Sequence, residues 1–90
     1  MNLDETNRDS ESALALAALG WALSDDRRAA RLLALTGLTP EDLRGRLAEP
    51  ALLAAVLRFL EAHEPDLVAC AEALQSKPEQ LVEARQRLEL

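Results

Sequence analysis

The stretches ALALAALGWAL, residues 13–23, and ALLAAVLRFLE, residues 51–61, decide the fold of this chain. They lie 38 positions apart, and sliding one onto the other aligns Trp21 with Phe59, the two aromatic residues of the sequence. Each is nearly continuous in apolar residues but falls short of the roughly 20 that a membrane-spanning helix needs. We therefore predict two buried helices that pack on each other, with a shared core formed by Trp21, Phe59, Leu19 and Leu57.

The same shift relates the segments that follow. Pro40-Glu-x-Leu43 falls on Pro78-Glu-x-Leu81, and each lies at a predicted helix start. A repeat of this period indicates a helical unit that cannot bury its apolar face alone. The sequence therefore predicts an all-α fold, a compact six-helix bundle built from two three-helix repeats at about 10–48 and 50–90. Together they form a single helical domain over 10–90, preceded by a flexible acidic tail at 1–9.

Local capping patterns mark the helix starts inside each repeat. Ser24 followed by two aspartates predicts one start, and Thr39-Pro40-Glu-Asp predicts another. Ser76-x-x-Glu79 has the spacing of a capping box for the last helix. Gly37 stands where a left-handed residue ends a helix.

Composition narrows the classes of function. The chain has 90 residues and a formal net charge of −6. Nucleic-acid affinity comes largely from Lys and Arg, and anionic membrane surfaces also select basic proteins, so both partners are disfavoured. One cysteine excludes an internal disulfide and fits a reducing, cytoplasmic location. The acidic start lacks the basic region of a signal peptide.

A resemblance to a known family extends over roughly residues 12–88. The run from Leu33 to Arg44, with the motif Thr36-Gly37-Leu38-x-Pro40-x-Asp42-Leu43-Arg44, resembles small bacterial proteins catalogued as a domain of unknown function. This family often has a glycine at the turn between the fifth and sixth helices, where the present chain has Gln75-Ser76-Lys77. The resemblance implies a bacterial, cytosolic, all-helical protein and supplies no activity or site residues.

Residues 29–47 have the spacing of a DNA-reading helix-turn-helix, with Gly37 at the turn and Leu43 six residues later. Against this interpretation, the second helix begins Thr-Pro-Glu-Asp, which would set carboxylates against phosphates. A DNA-binding regulator therefore remains an alternative. Five arginines in this region form a candidate surface for an anion or an acidic partner, or else a solvated helix face: Arg27, Arg28, Arg31, Arg44 and Arg46.

Catalytic and metal-binding groups are sparse in the sequence. The single histidine, His63, and the single cysteine, Cys70, fall on different predicted helices, so no nucleophile–base pair is indicated. His63, Glu64, Asp66 and Cys70 lack the regular spacing of zinc ligands. We expect no enzyme activity, no cofactor and no metal.

A helical protein-interaction module is therefore the function that the sequence favours. Such modules accept an amphipathic helix or an acidic segment of a partner protein, here near Arg27–Arg46. A structural homo-oligomer is the second alternative, because two nearly all-apolar helices in so short a chain can leave apolar surface for another copy. The sequence permits a homodimer.

Overall fold

Six α-helices make up the fold. The computed structural model describes the backbone of residues 3–90 and the side chains of residues 10–90, and within that range it contains no strand. The all-α prediction is confirmed. The helices are α1 (Leu3–Leu23), α2 (Asp26–Thr36), α3 (Pro40–Gly45), α4 (Pro50–Glu61), α5 (Glu64–Ala73) and α6 (Pro78–Leu88).

The first helix begins earlier than the sequence predicted. Its backbone starts at Leu3, whereas the expected start was near Ser10. Residues 1–2 and the side chains of residues 1–9 lie outside the description, so the tail predicted for 1–9 falls mostly beyond it. No helix in the described part of the chain combines the length and apolar character needed to cross a bilayer.

Prolines and caps fix where the later helices start. All four prolines of the chain occupy the first turn of a helix, where a missing N–H costs no hydrogen bond. The predicted cap at Thr39 is confirmed. Its hydroxyl accepts from the Asp42 N–H at 3.1 Å, and the Asp42 carboxylate accepts from the Thr39 N–H at 3.0 Å.

Two predicted caps are displaced by one residue. Asp25, not Ser24, caps α2, because its carboxylate accepts from the Arg28 N–H at 2.9 Å. The N-cap of α6 is Lys77, not Ser76: Gln80 accepts from the Lys77 N–H at 2.8 Å. The predicted Ser76/Glu79 box is therefore wrong, because Gln80 can bond both the Lys77 N–H and the Ser76 hydroxyl.

Helices α1 and α4 form the centre of the bundle. They contact each other, as predicted, and α2 and α5 each pack across both of them. Helix α6 lies against α1, α4 and α5. Helix α3 alone, among the helices of residues 3–90, packs against no other helix through its backbone. The fold is compact, with a radius of gyration of 12.3 Å.

One hydrophobic core runs through the bundle. Leu19, Leu57 and Phe59 are buried in it. Trp21 differs from the expectation: it is half-buried and packs against the edge of the core. The reason is Arg28, whose guanidinium carbon lies 3.6 Å from the centre of the ring and covers it from α2. Burial of a cationic group there keeps the indole at the boundary between core and solvent.

Helix boundaries recur along the chain. Helices α2 and α5 start at Asp26 and Glu64, and α3 and α6 start at Pro40 and Pro78, so each pair is separated by 38 residues (64 − 26 and 78 − 40). Backbone conformation recurs with the same offset. Gly37 has φ of 76°, and position 75, occupied by Gln, has φ of 55°. The left-handed turn thus persists where glycine is absent.

Helix α6 is fixed by ion pairs as well as by burial. The Arg85 guanidinium makes a two-point contact with the Glu61 carboxylate on α4, at 2.8 and 3.0 Å. The Arg58 guanidinium donates to Glu89 at 2.6 Å, and Arg87 pairs with the buried Glu11 of α1 at 3.2 Å. The apolar face of α6, Leu81, Ala84 and Leu88, is buried. The second half of the chain therefore closes on itself.

Candidate functional site

An apolar groove lies between α2 and α4. It has a volume of about 360 Å³ and is lined by Leu35, Thr36, Ala55, Arg58, Phe59 and Ala62. We call it the Leu35 groove. Leu35 is 70% exposed, whereas Phe59 is 5% exposed and forms its floor. Such exposure of a large apolar side chain beside an apolar cavity is typical of a binding site.

The local structure of α2 orients Leu35 toward this groove. Leu32 is fully buried and anchors α2 in the core, and Leu35 follows it by three residues, on a neighbouring part of the helix surface. The Thr36 hydroxyl donates to the Leu32 carbonyl oxygen at 2.6 Å, and the left-handed Gly37 then ends the helix. The last turn of α2 therefore holds Leu35 at the mouth of the groove.

Two arginines lie beside the Leu35 groove. Arg58 lines it, with 63% of its side chain exposed while pairing with Glu89. The Arg31 guanidinium carbon lies 5.7 Å from the centre of the Phe59 ring and pairs with Asp66 at the start of α5. The groove therefore combines an apolar floor with cationic groups at its edge.

The predicted arginine surface is divided among separate structural contacts. Arg28 donates to the Trp21 carbonyl oxygen at 2.6 Å and to the Ser24 hydroxyl at 3.1 Å. Within residues 10–90, its Nε is buried without a hydrogen-bond partner. Arg27 is exposed, and its charge helps to hold the pKa of Asp25 below the ordinary value, after the larger effect of the Arg28 N–H.

Arg44 and Arg46 are paired near α3. Arg44 contacts Glu41 at 3.2 Å, and Arg46 contacts Asp42 at 3.1 Å and Glu49 at 2.8 Å. These hydrogen bonds raise the pKa of Arg46, and bonds from the Thr39 N–H and then from Arg46 lower the pKa of Asp42. The structure brings Arg31 to the Leu35 groove and directs Arg28, Arg44 and Arg46 to contacts elsewhere.

The segment predicted as a helix-turn-helix forms two helices joined by a Gly37 turn, but its second helix is short. Helix α3 has six residues and carries Glu41 and Asp42 in its first turn. Its arginines are paired with these and nearby acids, so the local field is close to neutral. This geometry offers little positive potential to a phosphate backbone.

The candidate nucleophile, base and metal ligands are separate. Cys70 is fully buried, and burial raises the pKa of its thiol to about 11. His63 begins α5, where its Nδ1 lies 3.1 Å from the Asp66 carboxylate. No group of three or more histidine, cysteine, aspartate or glutamate side chains in the described residues has the geometry to hold a metal ion. The arrangement supplies no activated nucleophile among these groups.

The Leu35 groove was missed by reasoning from the sequence. Leu35 was assigned to the apolar side of α2 together with Leu32, and nothing in the pattern separated the exposed leucine from the buried one. The offset of 38 residues gives one signal: Leu35 is matched by Ala73, a small residue. An added large apolar side chain on one copy marks a difference between the two halves.

Comparison with known proteins identifies a family without an assigned activity. The model of the family described as "Protein of unknown function (DUF3572)" matches residues 8–89. The chain therefore belongs to this family. No curated protein and no solved structure matches it.

Proposed function

We propose that this member of the DUF3572 family is a non-enzymatic helical protein-interaction module that binds a partner segment in the Leu35 groove. The observation that carries the proposal is the 70% exposure of Leu35 beside the buried Phe59 ring. Covering an exposed leucine and filling an apolar cavity both favour association. A groove between two helices also suits the convex apolar side of a third.

The proposal includes two unequal three-helix repeats. The recurring helix starts at a spacing of 38 residues and the left-handed conformation at both Gly37 and Gln75 support it. The repeats differ in their third helices. Helix α6 has 11 residues and packs on three neighbours, whereas α3 has six and packs on none among the described helices. The first half is therefore the open half and the natural place for a partner.

The partner that fits the Leu35 groove is an amphipathic helix with acidic flanking residues. Apolar side chains of such a helix would contact Leu35, Ala55 and Phe59, which line the groove. Carboxylates at its edge would lie near the exposed guanidinium of Arg58 and near Arg31. Charge of this kind chiefly sets orientation and specificity, while apolar burial supplies affinity.

The non-enzymatic part of the proposal rests on the state of the two reactive residues. Cys70 is buried with a raised pKa, and His63 is paired with Asp66. We extend the proposal to a cytoplasmic location, where the single thiol stays reduced.

Self-association is a second candidate function with its own supporting observation. One side of α1 is apolar and exposed, and it includes Leu16 at 40% and Leu23 at 39% exposure. This surface is on a different helix from Leu35. DNA binding has no comparable support, because Arg44 and Arg46 are paired with acids of α3 and its flanks.

Affinity capture tests the proposed function. The chain is immobilised in three forms, wild type, Leu35→Glu and Val68→Glu, and exposed to a lysate of cells that naturally express it. Val68 is 45% exposed on α5 and serves as the matched apolar control. We expect quantitative mass spectrometry to recover one dominant partner with wild type and Val68→Glu, and at least a 10-fold loss with Leu35→Glu. Equal recovery with all three forms would exclude the Leu35 groove as the binding site.

A further inference from the structure

We infer that the exposed side of α1 pairs with α1 of a second copy of the chain. This surface, which we call the α1 face, carries no charged side chain. Leu16 and Leu23 are 40% and 39% exposed on it, and small residues separate them. Its members are Ala13, Leu16, Ala17, Gly20 and Leu23.

The second half of the chain contains the same helix side in a covered state. At an offset of 38 residues, Leu16 corresponds to Ala54 of α4, which is 3% exposed. Leu23 corresponds to Glu61, which pairs with Arg85 of α6. Helix α6 thus packs on the side of α4 that corresponds to the α1 face. Helix α3 does not perform this role in the first half, because it ends at Gly45 and packs on no helix among those described.

The chemistry of the α1 face indicates the occupant. Where α4 offers Arg58 and Glu61 to charged partners on α6, α1 offers Gly20 and Leu23. A helix that covers the α1 face must therefore present an uncharged apolar stripe at these positions. The α1 face is itself such a stripe, and two copies related by a twofold axis meet without like-charge repulsion. We therefore assign a second copy of the chain as the occupant.

Gly20 provides an independent observation. Glycine inside a helix is unfavourable relative to alanine. A Cβ atom added at Gly20 would meet nothing within 4 Å, and the residue does not have the positive φ that favours glycine. Packing and backbone conformation within the chain therefore give no reason for glycine at this position. Close approach of a second helix gives one, since a side chain there would hold the two backbones apart.

An antiparallel pair of α1 helices matches large residues with small ones. With the twofold axis near residue 18, Leu16 of one copy lies against Gly20 of the partner subunit, and the reverse contact is made on the other side of the axis. Leu23 then lies against Ala13 of the partner subunit. Five side chains on one helix cover less area than the 1,200–2,000 Å² of a standard interface, so we expect a weak dimer with a dissociation constant of about 10–500 μM.

This inference rests on the self-association candidate and not on the Leu35 groove. Its failure and the failure of partner binding are therefore separable. Leu35→Glu removes the proposed partner contact on α2 but leaves the α1 face intact, and Gly20→Glu does the opposite. Gly20→Glu is also safe for the fold, because the position faces open space in the chain.

Sedimentation equilibrium of the full chain is the first test. From about 10 μM to about 1 mM, the mass of the wild type is expected to rise from 9.8 kDa toward twice that value. Leu35→Glu should behave as wild type, and Gly20→Glu should show an association constant at least 10-fold lower. A wild type that stays at 9.8 kDa at about 1 mM would overturn the inference. Unchanged association of Gly20→Glu would do the same.

Disulfide trapping tests the register of the pair. Leu16→Cys and Gly20→Cys are mixed in equal amounts and oxidised, with Cys70 buried and out of reach of the reaction. The proposed arrangement predicts that the mixed disulfide between the two variants forms several-fold faster than either homodisulfide. Statistical amounts of the three products, or none of them, would contradict the arrangement.

Discussion

The guanidinium of Arg28 lies flat against the edge of the core, with its central carbon 3.6 Å from the centre of the Trp21 ring. The same group donates to the Trp21 carbonyl oxygen near the end of α1 at 2.6 Å. A cation at a helix C-terminus is favoured by the helix dipole, and stacking on an aromatic face adds to that attraction. Arg28 thus joins α1 to α2 and is part of the fold.

Replacing Arg28 should therefore destabilise the chain. We expect Arg28→Ala to lower the free energy of unfolding by about 1–2 kcal/mol, through loss of the ring contact and of the carbonyl hydrogen bond. The measurement is urea denaturation followed by the fluorescence of Trp21, the single tryptophan. The native emission should also shift to the red as the ring becomes more exposed. Arg27→Ala on the exposed side of α2 is the control, and equal effects of the two variants would refute this role.

The two third helices should respond unequally to truncation. Leu81 of α6 is fully buried, so Leu81→Ala should cost about 2–5 kcal/mol. Leu43 holds the equivalent position on α3 but is half-buried, and Leu43→Ala should cost about 1 kcal/mol. Urea midpoints of both variants give the comparison. Similar losses at Leu43 and Leu81 would show that α3 closes the first half as firmly as α6 closes the second.

Acid should weaken the cap of α3. The Thr39 N–H, followed by Arg46, holds the pKa of Asp42 below its ordinary value of 3.8. Because this pKa is lower in the folded chain than in the unfolded one, the ionised carboxylate stabilises the fold above about pH 4. That stabilisation is lost as the pH falls through the folded-state pKa. Asp42→Asn should therefore be less stable than wild type at pH 7, and the difference should shrink toward pH 3.

The control for the acid experiment is Glu41→Gln. Its pair with Arg44 is largely exposed, at 76% and 72% of the two side chains, so it should contribute little at any pH. Urea midpoints at several pH values give the comparison. A difference between wild type and Asp42→Asn that is constant from pH 7 to pH 3 would contradict the assigned role of the carboxylate.

Cys70 should be inert in the native chain. Its full burial, together with a pKa raised to about 11, leaves little thiolate at neutral pH. We expect a thiol reagent such as Ellman's reagent to label native protein at least 100-fold more slowly than protein in 8 M urea. The progress of labelling at pH 8 is the measurement. Rapid, complete labelling of the folded chain would show an accessible thiol.

Much of the fold follows from patterns visible in the sequence. The apolar stretches at 13–23 and 51–61 predicted the two central helices, because each is too apolar to be a surface helix and too short to cross a membrane. Thr39 capped its helix as expected, since the hydroxyl and the acid three residues later satisfy each other's backbone donors. Such local interactions depend on neighbours in the chain and are therefore readable from it.

The candidate site was less accessible to this reasoning. The five arginines looked alike in the sequence, but their roles depend on distant neighbours: Trp21 for Arg28 and Asp66 for Arg31. Likewise, the exposure of Leu35 and Leu16 depends on how far α3 extends and what it covers. A short helix followed by Gly45 is visible in the sequence, yet the surface that it leaves uncovered appears only when the six helices are packed.

Photo-crosslinking from residue 35 tests the central claim most directly. A photoreactive amino acid is placed at position 35 in one form of the chain and at position 68, equally apolar and exposed, in another. After irradiation in cells that naturally express the chain, position 35 is predicted to give one dominant adduct, mapped to an apolar helix of another protein with acidic flanks. Position 68 should give at most a trace of it. The same adducts from both positions, or no adduct from position 35, would contradict a partner site in the Leu35 groove.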